Sequence, residues 1–283
     1  MKKLILYFGI VIFLFSGASV QTNAQILNGA YKRTDIMQKK PMPLPTVRET
    51  DVFWSQQIWR IIDLREKMNQ TLYYPSIEIN GRVNLINLLL NGIENGQITP
   101  YDASLDDDFK VPMSYEQVKE SFGATTTMEE KINFDTGERE MVQVVGDIRP
   151  NEIKQYMVKE EWYFDKGTST LNVRIIGICP IREYIRAGDT SGEIQRQKLF
   201  WVYYPEARPL LATNIVMNPY NAGQQMSFDD LFIKRLFHSY IVAEENVYNN
   251  RNINAYLSGK EAMLESKKIE NKIFNFEQDL WEY

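Results

Sequence analysis

From Asp51 to Pro75 the chain reads DVFWSQQIWRIIDLREKMNQTLYYP, and its apolar residues recur at helical spacing. Trp54, Ile58, Ile61, Ile62 and Met68 share one face, and Gln56, Arg60, Asp63 and Lys67 share the other. The pattern predicts an amphipathic helix capped at Thr50 or Asp51 and ended by Pro75, with Asp63 and Lys67 placed to pair one turn apart. Arg65 lies inside the apolar stripe. Its guanidinium needs a carboxylate or carbonyl partner, within the subunit or across an interface. Arg82 to Asn95 predicts a second helix, with Leu85, Ile86, Leu88, Leu89, Leu90 and Ile93 apolar, Asn84, Asn87 and Asn91 outside, and Gly96 as the stop. GQITPYDAS reads as a short extended link. Ser114 to Phe122 reads as a third helix, capped by Ser114 and stopped at Gly123.

Beyond Gly123 the pattern turns to strands. Ile132–Phe134 and Glu140–Val145 flank FDTGE as a hairpin. Pro150 suits a helix first turn ahead of Ile153, Tyr156 and Met157. Glu161–Phe164 and Leu171–Ile178 form a second hairpin around Asp165-Lys166-Gly167, followed by a strand at Leu199–Tyr204. Val173, Ile175 and Gly177 lie on one side of the second hairpin and Arg174, Ile176 and Ile178 on the other, which implies a central strand covered on both faces. Ser227 caps SFDDLFIKRLF, with Asp229 and Asp230 in the first turn and Lys234 and Arg235 near the end, complementing the helix dipole. Ile253 to about Phe276 reads as a charged helix with an interrupted apolar stripe, completing its burial against a partner. The fold class is α+β: a helical amino-terminal layer, then an antiparallel sheet with flanking helices and a charged carboxyl-terminal helix.

The first residues divide the chain further. Lys2 and Lys3, the apolar run Leu4–Phe15 and Thr22-Asn23-Ala24 read as a secretory signal peptide over residues 1–24. Nothing later approaches the roughly twenty apolar residues a membrane span needs. Residues 25–49 carry Pro41, Pro43 and Pro45 and read as an extended arm or linker, with a disordered leader as the alternative. Residues 50–123 form the helical layer and 124–283 the α+β region. Without the leader the charge balance is 30 basic against 37 acidic residues, or −7, which argues against a nucleic-acid or anionic-lipid surface. Cys179 is the sole cysteine, so no intrachain disulfide forms, and its apolar setting in IIGICPI marks a buried hydrophobe. It lies too far from the leader to take a lipid there.

Catalytic patterns are weak. Asp135-Thr136-Gly137 and Asp189-Thr190-Ser191-Gly192 resemble aspartic-protease loops, but such carboxylates need apolar burial, and charged neighbours mark both as solvated turns. Asp106-Asp107-Asp108 lacks the spacing of a calcium loop and reads as a solvated acidic loop. His238, the only histidine, rules out a multi-histidine zinc site, and its neighbours Phe237 and Tyr240 suggest a packed or interface position. No phosphate-binding or dinucleotide glycine motif occurs.

WSQQIWRIIDLREKMNQTLYYP, RVNLINLLLNGIENGQITPYD, KLFWVYYPEARPLLATNIVMNPYN and MSFDDLFIKRLFHSYIVAEENVYNNRNINAY resemble, in order, segments of the GldN/PorN family of Bacteroidetes gliding motility and type IX secretion. The resemblance implies a non-enzymatic periplasmic protein with no cofactor and no metal. It implies assembly with copies of itself and the GldK/PorK lipoprotein into a ring at the inner face of the outer membrane, coupled to the GldL–GldM motor through GldM/PorM. Ring assembly calls for large aromatic and arginine anchors. The signature positions are Trp54, Trp59, Arg65, Tyr73, Tyr74, Trp201, Tyr203, Arg208, Asp229, Asp230 and Arg235, serving either subunit contacts or the fold of one subunit. The alternative from the residues alone is an exported hydrolase or ligand-binding protein.

Overall fold

A computed structural model describes residues 39–79, 81–104, 107–124, 127–132, 139–144, 146, 148–185, 192–217 and 225–279, with the backbone only for 127–132 and 139–144. All fall in the compact unit Asp35–Tyr283. The signal-peptide assignment, the turn Asp135–Gly137 and Asp189 lie outside the described residues.

The fold is mixed α+β, built on a large antiparallel sheet. Its strands are β1 (Val52–Asp63), β2 (Pro100–Asp102), β5 (Ile153–Asp165), β6 (Thr170–Ile185), β7 (Ile194–Lys198), β8 (Phe200–Tyr203) and β11 (Tyr240–Glu244). They run in the order β11-β1-β5-β6-β8-β2, with β7 also on β6. β3 (Thr127–Ile132) and β4 (Arg139–Val144) form the expected first hairpin, and β5 and β6 the second. Short strands β9 (Ile215–Val216) and β10 (Met226–Ser227) pair separately.

The helix predicted over Asp51–Pro75 is overturned: Val52–Asp63 is a strand, paired with β5 along its length and with β11 from Ile58 to Ile61. A strand buried on both faces carries apolar residues at both parities, and here they imitate a helical period. Ile58 and Ile62 enter the cores on one face, while Trp59 and Ile61 enter the core on the other. Seven of the twelve residues in VFWSQQIWRIID are β-branched or aromatic, the composition a pleated, half-buried surface favours. Helical backbone survives only near the end of the stretch, as a 3-10 turn at Lys67–Asn69 and one α-helical turn at Gln70–Tyr73.

The same two-faced burial overturns the helix expected after Pro150. Residues Pro150–Glu152 make one tight turn and Ile153 starts β5. The strand expected at Leu199–Tyr204 is β8, and it ends a residue early because Tyr204 opens a helix that the sequence reading missed.

The helices are α1 (Leu85–Glu94), α2 (Tyr115–Ser121), α3 (Tyr204–Thr213), α4 (Phe228–Ile233) and α5 (Gly259–Asp279). Asn84 caps α1 through the Asn87 amide, while Ser114 and Ser227 close reciprocal capping boxes with Gln117 and Asp230. α1 to α4 pack on one face of the sheet, where Leu85, Leu89, Phe122, Leu211, Phe228 and Phe232 meet Ile62, Tyr156, Val158, Ile178, Phe200 and Val202. α5 extends that layer through Ala262, Ile269 and Ile273 against Ile58, Ile241 and Ile253. The other face carries Trp59, Met157, Cys179, Ile181 and Trp201, with Ala103 and Phe109 packed against them.

From Lys39 to Arg48 the arm has no regular structure and lies on the body by three hooks. Lys39 pairs with Asp230, Arg208 Nη2 donates to the Met42 carbonyl at 2.5 Å, and Arg174 donates to the Pro45 carbonyl. Among the described residues no helix is long and apolar enough to cross a membrane.

Candidate functional site

The sequence-predicted residues gather into separate clusters, each placed by a different element. On the face of the sheet opposite the helices, β1, β5 and β8 align Trp59, Lys159 and Trp201. Lys159 is 4% exposed and must be paired. Its ammonium donates to the Asp107 carbonyl at 3.0 Å, lies 3.6 Å from the Asp107 carboxylate and stands over the rings of Trp59 and Phe109. The Trp59 indole donates to the Asp107 carboxylate. The acidic run expected as a solvated loop is therefore docked: Asp107 serves a buried lysine and an indole. Asp106 lies outside the described residues.

Phe109 clamps that loop. With φ of 57°, it turns its ring against Tyr101, Trp201 and Tyr203, centroids 5.7, 5.9 and 5.6 Å away. The ring fits because residue 177 is glycine; a Cβ there would overlap Phe109 and touch Trp201 at 3.2 Å. The Trp201 indole nitrogen is buried with no hydrogen-bond partner among the described residues.

The second cluster joins α3 to α4. Arg208 grips Asp229 with two hydrogen bonds, Nε to Oδ1 at 3.0 Å and Nη2 to Oδ2 at 3.1 Å, and the Tyr204 hydroxyl donates to Oδ1 at 2.9 Å. Burial and the neighbouring Asp229 carboxylate push the Tyr204 phenol well above its ordinary range, so it stays a donor. Asp230, next in sequence, closes the α4 capping box and takes Lys39. Burial raises its carboxyl, but the hydrogen bonds from Lys39 and Ser227 outweigh that and hold it below the usual range.

The third cluster centres on Glu160, fully buried on β5. Arg235 gives it two hydrogen bonds at 2.7 and 3.2 Å, and the Trp162 indole a third at 3.0 Å. Arg235 follows α4 with φ of 52°, while Leu236 N donates to the Leu231 carbonyl and Arg235 N to that of Phe232. This is the left-handed helix ending that usually takes glycine. The guanidinium requirement of Glu160 accounts for arginine there. Arg60 joins the group, bonded to Ser239 and 3.5 Å from Glu270 of α5, its guanidinium held below the ordinary value by burial, against the pull of Glu160.

The remaining signature residues are peripheral. Trp54 stacks on Phe276 of α5 at 4.7 Å. Tyr73 and Tyr74 meet edge to face at 5.0 Å, and Lys154 lies over the Tyr73 ring. Arg65 is outside any apolar stripe; its side chain is 55% exposed, bonded to Asp63 at 2.5 Å and 3.8 Å from Glu183. His238, expected at a packed or interface position, is not packed within the subunit: it is exposed and meets Glu66 at 2.5 Å. Burial pushes the Cys179 thiol up to about 12, leaving it inert.

Lys159, Glu160 and Phe109 went unnoticed in the sequence. The signal was a Lys-Glu-Glu run at the centre of an apolar strand, where a charge persists only if paired. Among the described residues no group of three or more His, Cys, Asp and Glu side chains could hold a metal ion. Chemically, the arrangement fixes loops and helices on a sheet through buried ion pairs.

Comparison with individually characterised proteins finds no match. The model of one protein family, described as gliding motility associated protein GldN, matches residues 47–282, which takes in β1 through α5. The chain belongs to the GldN family, associated with gliding motility and type IX secretion.

Proposed function

We propose that the chain is a non-enzymatic structural component of the type IX secretion and gliding machinery. It works in the periplasm, where copies of it assemble with the GldK/PorK lipoprotein into a ring at the inner face of the outer membrane, and GldM/PorM couples that ring to the GldL–GldM motor. Family membership over residues 47–282 carries this reading. The chemistry agrees with it: Lys159, Glu160, Arg208 and Asp229 are buried and partnered inside the subunit, a use that makes a rigid scaffold and leaves no activated group over a substrate. Of the signature residues, Arg65, Tyr74 and Tyr203 offer the most surface to a neighbour.

Native mass of the exported chain, alone and co-expressed with the lipoprotein, tests the proposal. A stable complex containing several copies of each is the expected result. A monomer that ignores the lipoprotein would sink it.

A further inference from the structure

α5 meets the body through Ala262, Ile269 and Ile273. Its flank leaves two large apolar side chains in solvent, Met263 at 74% exposure and Phe274 at 55%. Both stand on one line of the helix with Lys260, Lys267, Glu270 and Glu277, residues that follow one another at alternating steps of three and four. Such alternation turns all six side chains toward a single neighbouring helix, as along a coiled-coil seam. A cavity of about 250 Å³ opens along the same flank, beside Glu270, Phe274 and Glu277.

The order of charges along this line is directional. Lysines occupy its amino-terminal half and glutamates its carboxyl-terminal half, with one apolar residue in each. Turned end for end, the line meets its own complement: Lys260 comes opposite Glu277, Met263 opposite Phe274 and Lys267 opposite Glu270, each pair occurring twice about a twofold axis. A parallel pairing would instead set every charge against its like. Lys267 and Glu270 are already held on the line by their ion pair at 2.8 Å within the helix, and an opposite copy supplies each with a second partner. Five carboxylates against four lysines along α5 leave it unsuited to an anionic bilayer, which amphipathic helices grip through a basic polar face.

We propose that this flank of α5 is a self-association surface whose occupant is α5 of a second copy, packed antiparallel. Met263 and Phe274 of the two copies bury one another at two points, a contact that sulfur and an aromatic ring favour, and the lysine–glutamate pairs fix direction and register. The proposal rests on the reading of the chain as a component that assembles with copies of itself, and adds the surface and the geometry of that contact.

Sedimentation of the full exported chain and its variants F274D, K260E and E277K tests the seam. Thermal melts of F274D and K260E should match the unaltered chain, since both side chains are exposed. The unaltered chain should dimerise, and F274D or K260E should weaken the dimer at least about tenfold, as like charges facing across an interface do. E277K alone should weaken it as well, and an equimolar mixture of K260E and E277K should restore it, because opposite charges again meet at both ends. Under mild oxidation M263C should cross-link to F274C and not to itself, since the two Met263 positions lie about 16 Å apart along antiparallel helices. The seam is overturned if F274D and K260E dimerise as well as the unaltered chain, or if M263C links to itself. It is also overturned if the unaltered chain is monomeric and the M263C and F274C chains do not cross-link in the complex with the lipoprotein. A multi-copy complex in that case leaves the assembly role standing, whereas the absence of any complex removes both.

Discussion

Arg235→Gly sets two opposed effects against each other, and the structure decides their sum. Glycine suits the left-handed position that Arg235 occupies at φ of 52°. Relief of that backbone is worth about 1 kcal/mol. Against it, Glu160 loses two charge-assisted hydrogen bonds at 2.7 and 3.2 Å while remaining fully buried. Breaking a buried pair from one side costs about 3 to 5 kcal/mol. The Trp162 indole at 3.0 Å and the nearby Arg60 keep some stabilisation on Glu160, which places the cost at the lower end of that range. The net expectation is a loss of about 2 to 3 kcal/mol, or roughly 4 to 12 °C in melting temperature for a chain of this size. Glu160→Gln should cost less, because the Arg235 side chain it strands is 28% exposed and can be solvated. Urea unfolding of both single variants and the double variant yields the coupling directly. A glycine variant at least as stable as the unaltered chain would refute the claim that Glu160 dictates arginine at the helix end.

Gly177→Ala should destabilise by about 1 to 3 kcal/mol, the usual range for overpacking, with loss of the Phe109 contact seen as faster proteolysis of the loop around Asp107; intact stability would contradict the clamp. Four carboxylates are held below their ordinary values: Asp63 by the hydrogen bond from Arg65, Asp108 by that from Lys110, Glu270 by that from Lys267, and Asp230, despite burial, by those from Lys39 and Ser227. A depressed folded value means stability that is fully present above the unfolded value and lost as pH falls through the folded one. The melting temperature should therefore drop steadily below about pH 4, and a flat profile from pH 5 to 3 would count against these pairs. Cys179 should react with a thiol reagent only as fast as the protein unfolds, so rapid labelling under native conditions would place it outside the core described here.

Local chemistry was legible in the sequence wherever one face of an element met water. α1 could be read from its apolar stripe and Asn84 cap, α4 from Ser227 and its acidic first turn, and the β5–β6 hairpin from Asp165-Lys166-Gly167. Reading failed where both faces are covered. β1 and the start of β5 carry apolar residues at both parities, so the period that separates strand from helix is erased. α3 was hidden by Pro205 and Pro209, which look like breakers although Pro205 sits in the first turn, where its missing N–H costs nothing. The pairings Lys159–Asp107 and Glu160–Arg235 span 52 and 75 residues, and no local pattern announces a partner at such separations. Of the signature positions, Arg208 and Asp229 proved to be one unit and Trp59, Trp201 and Tyr203 another. Arg65 was misjudged because its stripe belonged to a helix that does not exist.

The way the arm is fastened has a mechanical consequence. Two of its three hooks reach main-chain carbonyls, those of Met42 and Pro45, so the identity of the arm's own side chains matters little there. The guanidinium of Arg208 holds the Met42 carbonyl with the same Nη2 that binds Asp229. Tension applied at Lys39 is thus delivered by Lys39 to Asp230 and by Arg208 to Asp229, two adjacent carboxylates in the first turn of α4.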